Sequence, residues 1–235
     1  MIVKTWVKYY DKPKLEEPIA IVGSPGLSSV GKLAVDYLIN KLKPILTAEL
    51  YSSHFPLFHQ TSPSYIPSPE FPGEPGITIA YDHTEFPKVE FYCSPTLGLI
   101  ITRGYHANFY GQYEVAERVL DLLEELRVKR LFVLAGYARE GDAVYCAATS
   151  LNLMEEMKKY GVEKGYEGPF YGFSGLVLGL ATLRNIEGVC LLGRTKPNLE
   201  DPEYPDPSAA KAVLETLSRI LNLPTIVPEN LSQCY

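Results

Sequence analysis

Apolar and polar positions alternate along this chain with two distinct periods. Ile19-Ala-Ile-Val22 is a short apolar run that stops at Gly23, the pattern of a buried strand. After the turn Gly23-Ser-Pro-Gly26, the period changes. Val30, Leu33, Ala34, Tyr37, Leu38 and Leu42 share one helical face, which predicts a helix ending near Lys43, before Pro44. Ser28 or Ser29 is placed to cap it, because a serine oxygen can accept from an orphan backbone N–H. Further strands are expected at Ala48–Ser52, Leu97–Thr102, Leu131–Ala135, Val144–Ala148 and Val189–Leu192. Ile77–Tyr81 and Val89–Cys93 read as a hairpin pair. Helices are expected at Tyr113–Val128, Ser150–Tyr160 and Ser174–Arg184, the last with Ser174 at its cap. A final helix, Ala209–Leu221, is capped by Asp206 or Ser208.

Strands and helices thus alternate, with a hairpin in the middle. That order predicts an α/β fold of three layers around a mostly parallel, partly mixed sheet. One segment fits neither period. Residues 54–76 hold six of the 19 prolines, and proline removes a backbone donor and fixes φ, so regular structure is not expected there. The 17 tyrosines concentrate near the same segment, which marks a candidate contact surface including Tyr65 and Phe71. No break in composition divides the 235 residues, so one domain with an elaborated loop at 54–76 is expected.

Composition narrows the function classes. The net charge of −6 disfavours binding to a nucleic-acid backbone, which wants a basic face. No apolar run has the length of a membrane span, and the charged first 14 residues do not resemble a signal peptide. Cys93, Cys146, Cys190 and Cys234 form no Cys-x-x-Cys pair, and no His-Glu-x-x-His occurs, so no metal site is expected. Three of the cysteines lie in apolar runs and read as small core residues of a reducing, cytoplasmic protein.

Candidate chemistry gathers at strand ends. Gly23, Ser24, Gly26, Ser28 and Ser29 follow the first apolar strand, where ligands bind in open α/β sheets and where a helix N-terminus attracts anions. Arg103 and Arg139 follow other strands and could join them around a phosphate or nucleotide. The same turn also reads as a plain turn and cap, and neither a dinucleotide fingerprint nor a Walker pattern is present. The sequence carries no catalytic constellation and points to no cofactor: Gly172-Phe-Ser-Gly175 lacks the spacing of a nucleophile elbow.

Several blocks taken together resemble one family. Gly23-Ser-Pro-Gly-Leu-Ser-Ser-Val-Gly-Lys-Leu-Ala-Val-Asp-Tyr-Leu38, Gly111-Gln-Tyr-Glu-Val-Ala-Glu117, Val128-Lys-Arg-Leu131 with Ala135-Gly-Tyr137, Gly168-Pro169 through Gly179-Leu-Ala181, and Cys190-Leu-Leu-Gly-Arg-Thr195 with Tyr204–Leu214 occur in order. Over residues 18–223 they resemble the proteasome assembly chaperone 2 family. That resemblance implies a phosphorylase/hydrolase-like α/β fold and a homo-oligomer, in the trimer to pentamer range. It also implies a binding or assembly-chaperone function with proteasome α-subunits as partners. Family members that dock on the proteasome often end in hydrophobic–Tyr–any residue. Here the chain ends Ser232-Gln-Cys-Tyr235, with Tyr235 one position later than that pattern. The alternative reading is a small anionic-ligand protein or enzyme built on the glycine turn.

Overall fold

The computed structural model describes residues 5–55, 77–80, 83–107, 111–139, 144–165, 167–196 and 198–223. Its strands in chain order are β1 (Thr5–Tyr9), β2 (Ile19–Gly23), β3 (Ile45–Ser52), β4 (Thr78–Ala80), β5 (His83–Glu85), β6 (Val89–Ser94), β7 (Leu99–Arg103), β8 (Arg130–Ala138), β9 (Val144–Ala148), β10 (Glu163–Lys164) and β11 (Glu187–Thr195). The helices are α1 (Val30–Leu42), α2 (Gln112–Glu125), α3 (Leu151–Lys158), α4 (Phe173–Leu183) and α5 (Pro207–Leu221).

Nine of these strands, among the described residues, form one mixed sheet in the order β1-β3-β6-β7-β2-β8-β11-β9-β10. The four central strands β7, β2, β8 and β11 run parallel. Antiparallel pairings join β1, β3, β6 and β7 on one flank and β11 with β9 on the other, beyond which β10 pairs parallel with β9. This is the expected three-layer α/β architecture.

Strand alternation divides the core into two. Ala20 and Val22, Leu131 and Val133, and Cys190 and Leu192 face the apolar sides of α2 and α4. Ile21, Phe132, Leu134, Val189 and Leu191 face α1, α3 and α5. A central strand covered on both faces must be apolar at every position, which is why these runs show no alternation in sequence. Among the described residues, no helix is long and apolar enough to cross a membrane.

The helix ends follow local chemistry. Ser150 caps α3 by accepting from Leu153 N–H at 3.3 Å. Asp206 caps α5 by accepting from Ala209 N–H at 3.0 Å, and Pro207 follows it in the first turn. Lys43 closes α1 in the left-handed conformation, its N–H donating to Ile39 C=O.

Four expectations are corrected. Val89–Cys93 is not the hairpin partner of the preceding run: β4 pairs with β5 in a separate two-stranded sheet, and β6 lies between β3 and β7. Val89, Phe91 and Cys93 on one side of β6, and Glu90 and Ser94 on the other, are buried, which a two-stranded ribbon could not achieve. Second, Thr5–Tyr9, where the sequence reading places no strand, is the edge strand β1, with Trp6 stacked on Tyr51 at 5.6 Å between ring centroids. Third, neither Ser28 nor Ser29 lends its side chain to the N-terminus of α1. Fourth, the N-cap of α4 is Gly172, and Ser174 lies inside the first turn.

Candidate functional site

At the carboxyl ends of β7, β2 and β8 the chain leaves in opposite directions. The segment after β2 rises into α1 on one face of the sheet, and the segment after β7 leads to α2 on the other. Such a divergence opens a crevice, the usual ligand position in open α/β sheets. Here it is a cavity of about 260 Å³. Its lining includes Ser24 and Gly26 after β2, Tyr105 and His106 after β7, Gly136 on β8, and Ser174 at the start of α4.

Close backbone packing brings these pieces together. A Cβ on Gly31 would lie 2.1 Å from the Leu134 carbonyl oxygen, and one on Gly136 would lie 2.4 Å from that of Leu27. Only glycine lets the first turn of α1 press onto β8 so closely.

The two serines expected to cap α1 have another task. Ser28 and Ser29 both adopt left-handed backbone, with φ of 50° and 49°. Ser28 is buried; its N–H donates to Pro202 C=O at 2.7 Å, and its carbonyl accepts from Asp206 N–H at 3.0 Å. Its hydroxyl donates to Thr195 Oγ1 at 2.9 Å, because the single Thr195 proton goes to the Asp206 carboxylate. Ser29 Oγ donates to the Glu203 carbonyl at 2.9 Å. The pair therefore straps segment 201–206 across the start of α1. That strap delivers Glu203 to the cavity, where its carboxylate meets His106 Nε2 at 2.8 Å.

Of the residues expected at a ligand site, Ser24 and Gly26 line the cavity, and Gly23, Ser28 and Ser29 support it from behind. The two arginines do not join them. Arg103 stands opposite Glu90 in the β6–β7 register, hydrogen-bonded to that carboxylate, with Asp36 3.5 Å away. Burial alone would lower its pKa, yet Glu90 and Asp36 reverse the shift and raise it. Arg139 lies over the Tyr145 ring, 5.5 Å from its centroid, where Arg194 also stacks at 4.4 Å. Both arginines are spent on sheet neighbours. Tyr65, Phe71 and Tyr235 lie outside the described residues.

Sequence reasoning missed His106, Glu203, Tyr105 and Gln112 as neighbours of the glycine turn. No local motif could have paired His106 with Glu203, because 97 positions separate them. The cysteines match the expectation of core residues: Cys93, Cys146 and Cys190 are buried and free. Burial pushes the Cys146 thiol up to about 11, so it stays protonated near neutrality. Among the described residues no cluster of His, Cys, Asp or Glu is arranged to hold a metal ion.

The family model of the PAC2 family matches residues 20–233, nearly the whole chain. The chain belongs to the PAC2 family. One relative is the uncharacterized protein MJ1210 of Methanocaldococcus jannaschii, 30% identical over 225 residues, covering 92% of this chain and 78% of that protein. Among solved structures the fold is similar to Pyrococcus furiosus PbaB, described as an archaeal proteasome activator. The TM-score is 0.76 at 31% identity, covering 98% of this chain and 93% of PbaB. It is equally similar in fold to Pyrococcus furiosus PbaA, described as an archaeal homolog of proteasome-assembly chaperone, with TM-score 0.76 at 24% identity over 97% of this chain and 90% of PbaA. The likeness to PbaA shows the shared fold.

Proposed function

We propose that this PAC2 protein is a homo-oligomeric assembly chaperone whose partners are proteasome α-subunits. The observation that carries the reading is the PAC2 family match over residues 20–233, supported by 31% identity to the proteasome activator PbaB along 98% of the chain. Identity spread over a whole α/β domain, rather than confined to one strand-end motif, supports a shared surface as well as a shared scaffold. The proposed homo-oligomer, of three to five subunits, rests on the family resemblance read from the sequence. The protein acts in the cytoplasm as a single domain, with no nucleic-acid or membrane partner.

Exposed aromatic and aliphatic side chains supply contact area around the cavity end of the sheet. Tyr171 is 82% exposed, Tyr204 58% and Leu199 94%. Tyrosines in such positions suit protein contacts, since each buries a large ring while keeping its hydroxyl wet. Tyr65 and Phe71 of the proline-rich loop and Tyr235 at the C-terminus are the further contact candidates.

A pull-down tests this directly. The full chain on beads is expected to retain proteasome α-subunits from the same organism, and deletion of residues 224–235 reads the share due to Tyr235. Failure of the full chain to retain α-subunits at micromolar concentration contradicts the proposal.

A further inference from the structure

Ser24 is only 6% exposed and lines the cavity, yet its hydroxyl has no hydrogen-bond partner among the described residues. A hydroxyl on a cavity wall with no protein partner is free to donate to a ligand or water that enters the space. Across the cavity lies the N-terminus of α4, an 11-residue helix whose N-cap, Gly172, offers no capping side chain. Phe173 and Ser174 of its first turn also line the space, and the Ser174 hydroxyl is likewise without a partner among the described residues. The first N–H groups of such a helix carry partial positive charge toward whatever lies before them.

We infer that this cavity binds a small organic oxyanion, of the class of a phosphate monoester. The oxygens sit between Ser24 and the start of α4, and the organic body rests on Tyr105 and Phe170. Size and lining argue for the body. A free phosphate would fill only a small part of about 260 Å³, and Tyr105, Phe170 and Phe173 supply an apolar wall. Tyr105 itself is held by an edge-on contact with Phe55 at 5.4 Å between centroids, so the wall is preformed.

Charge is consistent with one anionic group. Glu203 is the one carboxylate among the described lining residues, and His106 faces it at 2.8 Å. The contact with His106 engages that carboxylate, and the N-terminus of α4 supplies the positive end that favours an anion. Glu203 in turn sits on the strap held by Ser28 and Ser29. The site is therefore coupled to the turn that the sequence singles out, although neither of those serines touches the ligand.

Calorimetric titration of the full chain with three probes separates the parts. Phenyl phosphate carries oxyanion and ring, inorganic phosphate the oxyanion alone, and phenol the ring alone. Phenyl phosphate is expected to saturate one site per chain, with inorganic phosphate about tenfold weaker and phenol weaker still, because each lacks part of the contact. Ser24→Ala should weaken phenyl phosphate about tenfold by removing one charge-assisted hydrogen bond. Ser174→Glu should abolish binding by placing a like charge at the helix start, and Glu203→Gln should tighten it about fivefold. Melting curves confirm that each variant folds; Ser24→Ala and Glu203→Gln move in opposite directions, so a folding defect in one cannot imitate the pattern. Absence of saturation at about 10 mM phenyl phosphate, equal affinity for phenol, or unchanged affinity in Ser24→Ala and Glu203→Gln overturns the site.

Discussion

Gly31 is the residue at which a single methyl group decides the packing. Its absent Cβ would sit 2.1 Å from a backbone oxygen of β8, which cannot swing aside as a side chain could. Gly31→Ala should therefore cost about 3 kcal/mol in urea unfolding, at the upper end of overpacking. A loss below about 1 kcal/mol would mean that α1 can move off β8. Glu49 illustrates a different kind of residue-level control. Burial alone would raise its carboxyl, but hydrogen bonds from Tyr10, Lys88 and Tyr51 outweigh it and hold the value below the ordinary 4.5. A folded-state value below the unfolded one makes the ionised form stabilising above the ordinary range, and that contribution fades as pH falls through the lowered value. Glu49→Gln should thus be less stable than the parent at neutral pH, with the gap closing as the solution is made acidic enough to protonate the carboxylate. Unfolding curves across an acid-to-neutral pH series check this, and a gap independent of pH would contradict it.

At the scale of elements, α5 depends on Asp206 twice. One carboxylate oxygen caps the helix at Ala209 N–H, and the other accepts from Thr195 Oγ1 at 2.6 Å. Asp206→Ala should lower stability by about 2 kcal/mol, the sum of a lost cap and a lost hydrogen bond. Asp206→Asn should recover most of the cap. If the alanine variant unfolds at the parent's urea midpoint, Asp206 does not hold the strap. Elements of this kind were legible in the sequence wherever local chemistry sufficed. The apolar face of α2, the Asp206 cap and the unbroken apolar runs of β2, β8 and β11 each declare themselves within a few residues. β1 did not, because an edge strand buries one face at most and Lys4, Lys8 and Lys12 masked its alternation. The pairing of β6 with β3 and β7 was also illegible, since it joins segments far apart in the chain.

On the scale of the whole molecule, five ordered blocks pointed to the family before the fold was known, and the family model covers the same stretch. The candidate site was only half legible. Ser24 and Gly26 stood out by their place after a buried strand, whereas His106 and Glu203 meet only because the Ser28–Ser29 turn straps segment 201–206 in place. Arg103 looked equally well placed, but its register opposite Glu90 commits it to the sheet. The central claim, that this PAC2 protein handles proteasome α-subunits as a homo-oligomer, is tested most directly by native mass spectrometry. The chain would be measured alone and mixed with α-subunits. The expected spectrum of the chain alone is a single homo-oligomer of three to five subunits, and the mixture should add a discrete complex of that oligomer with α-subunits. A monomer that leaves the α-subunit spectrum unchanged would contradict the account.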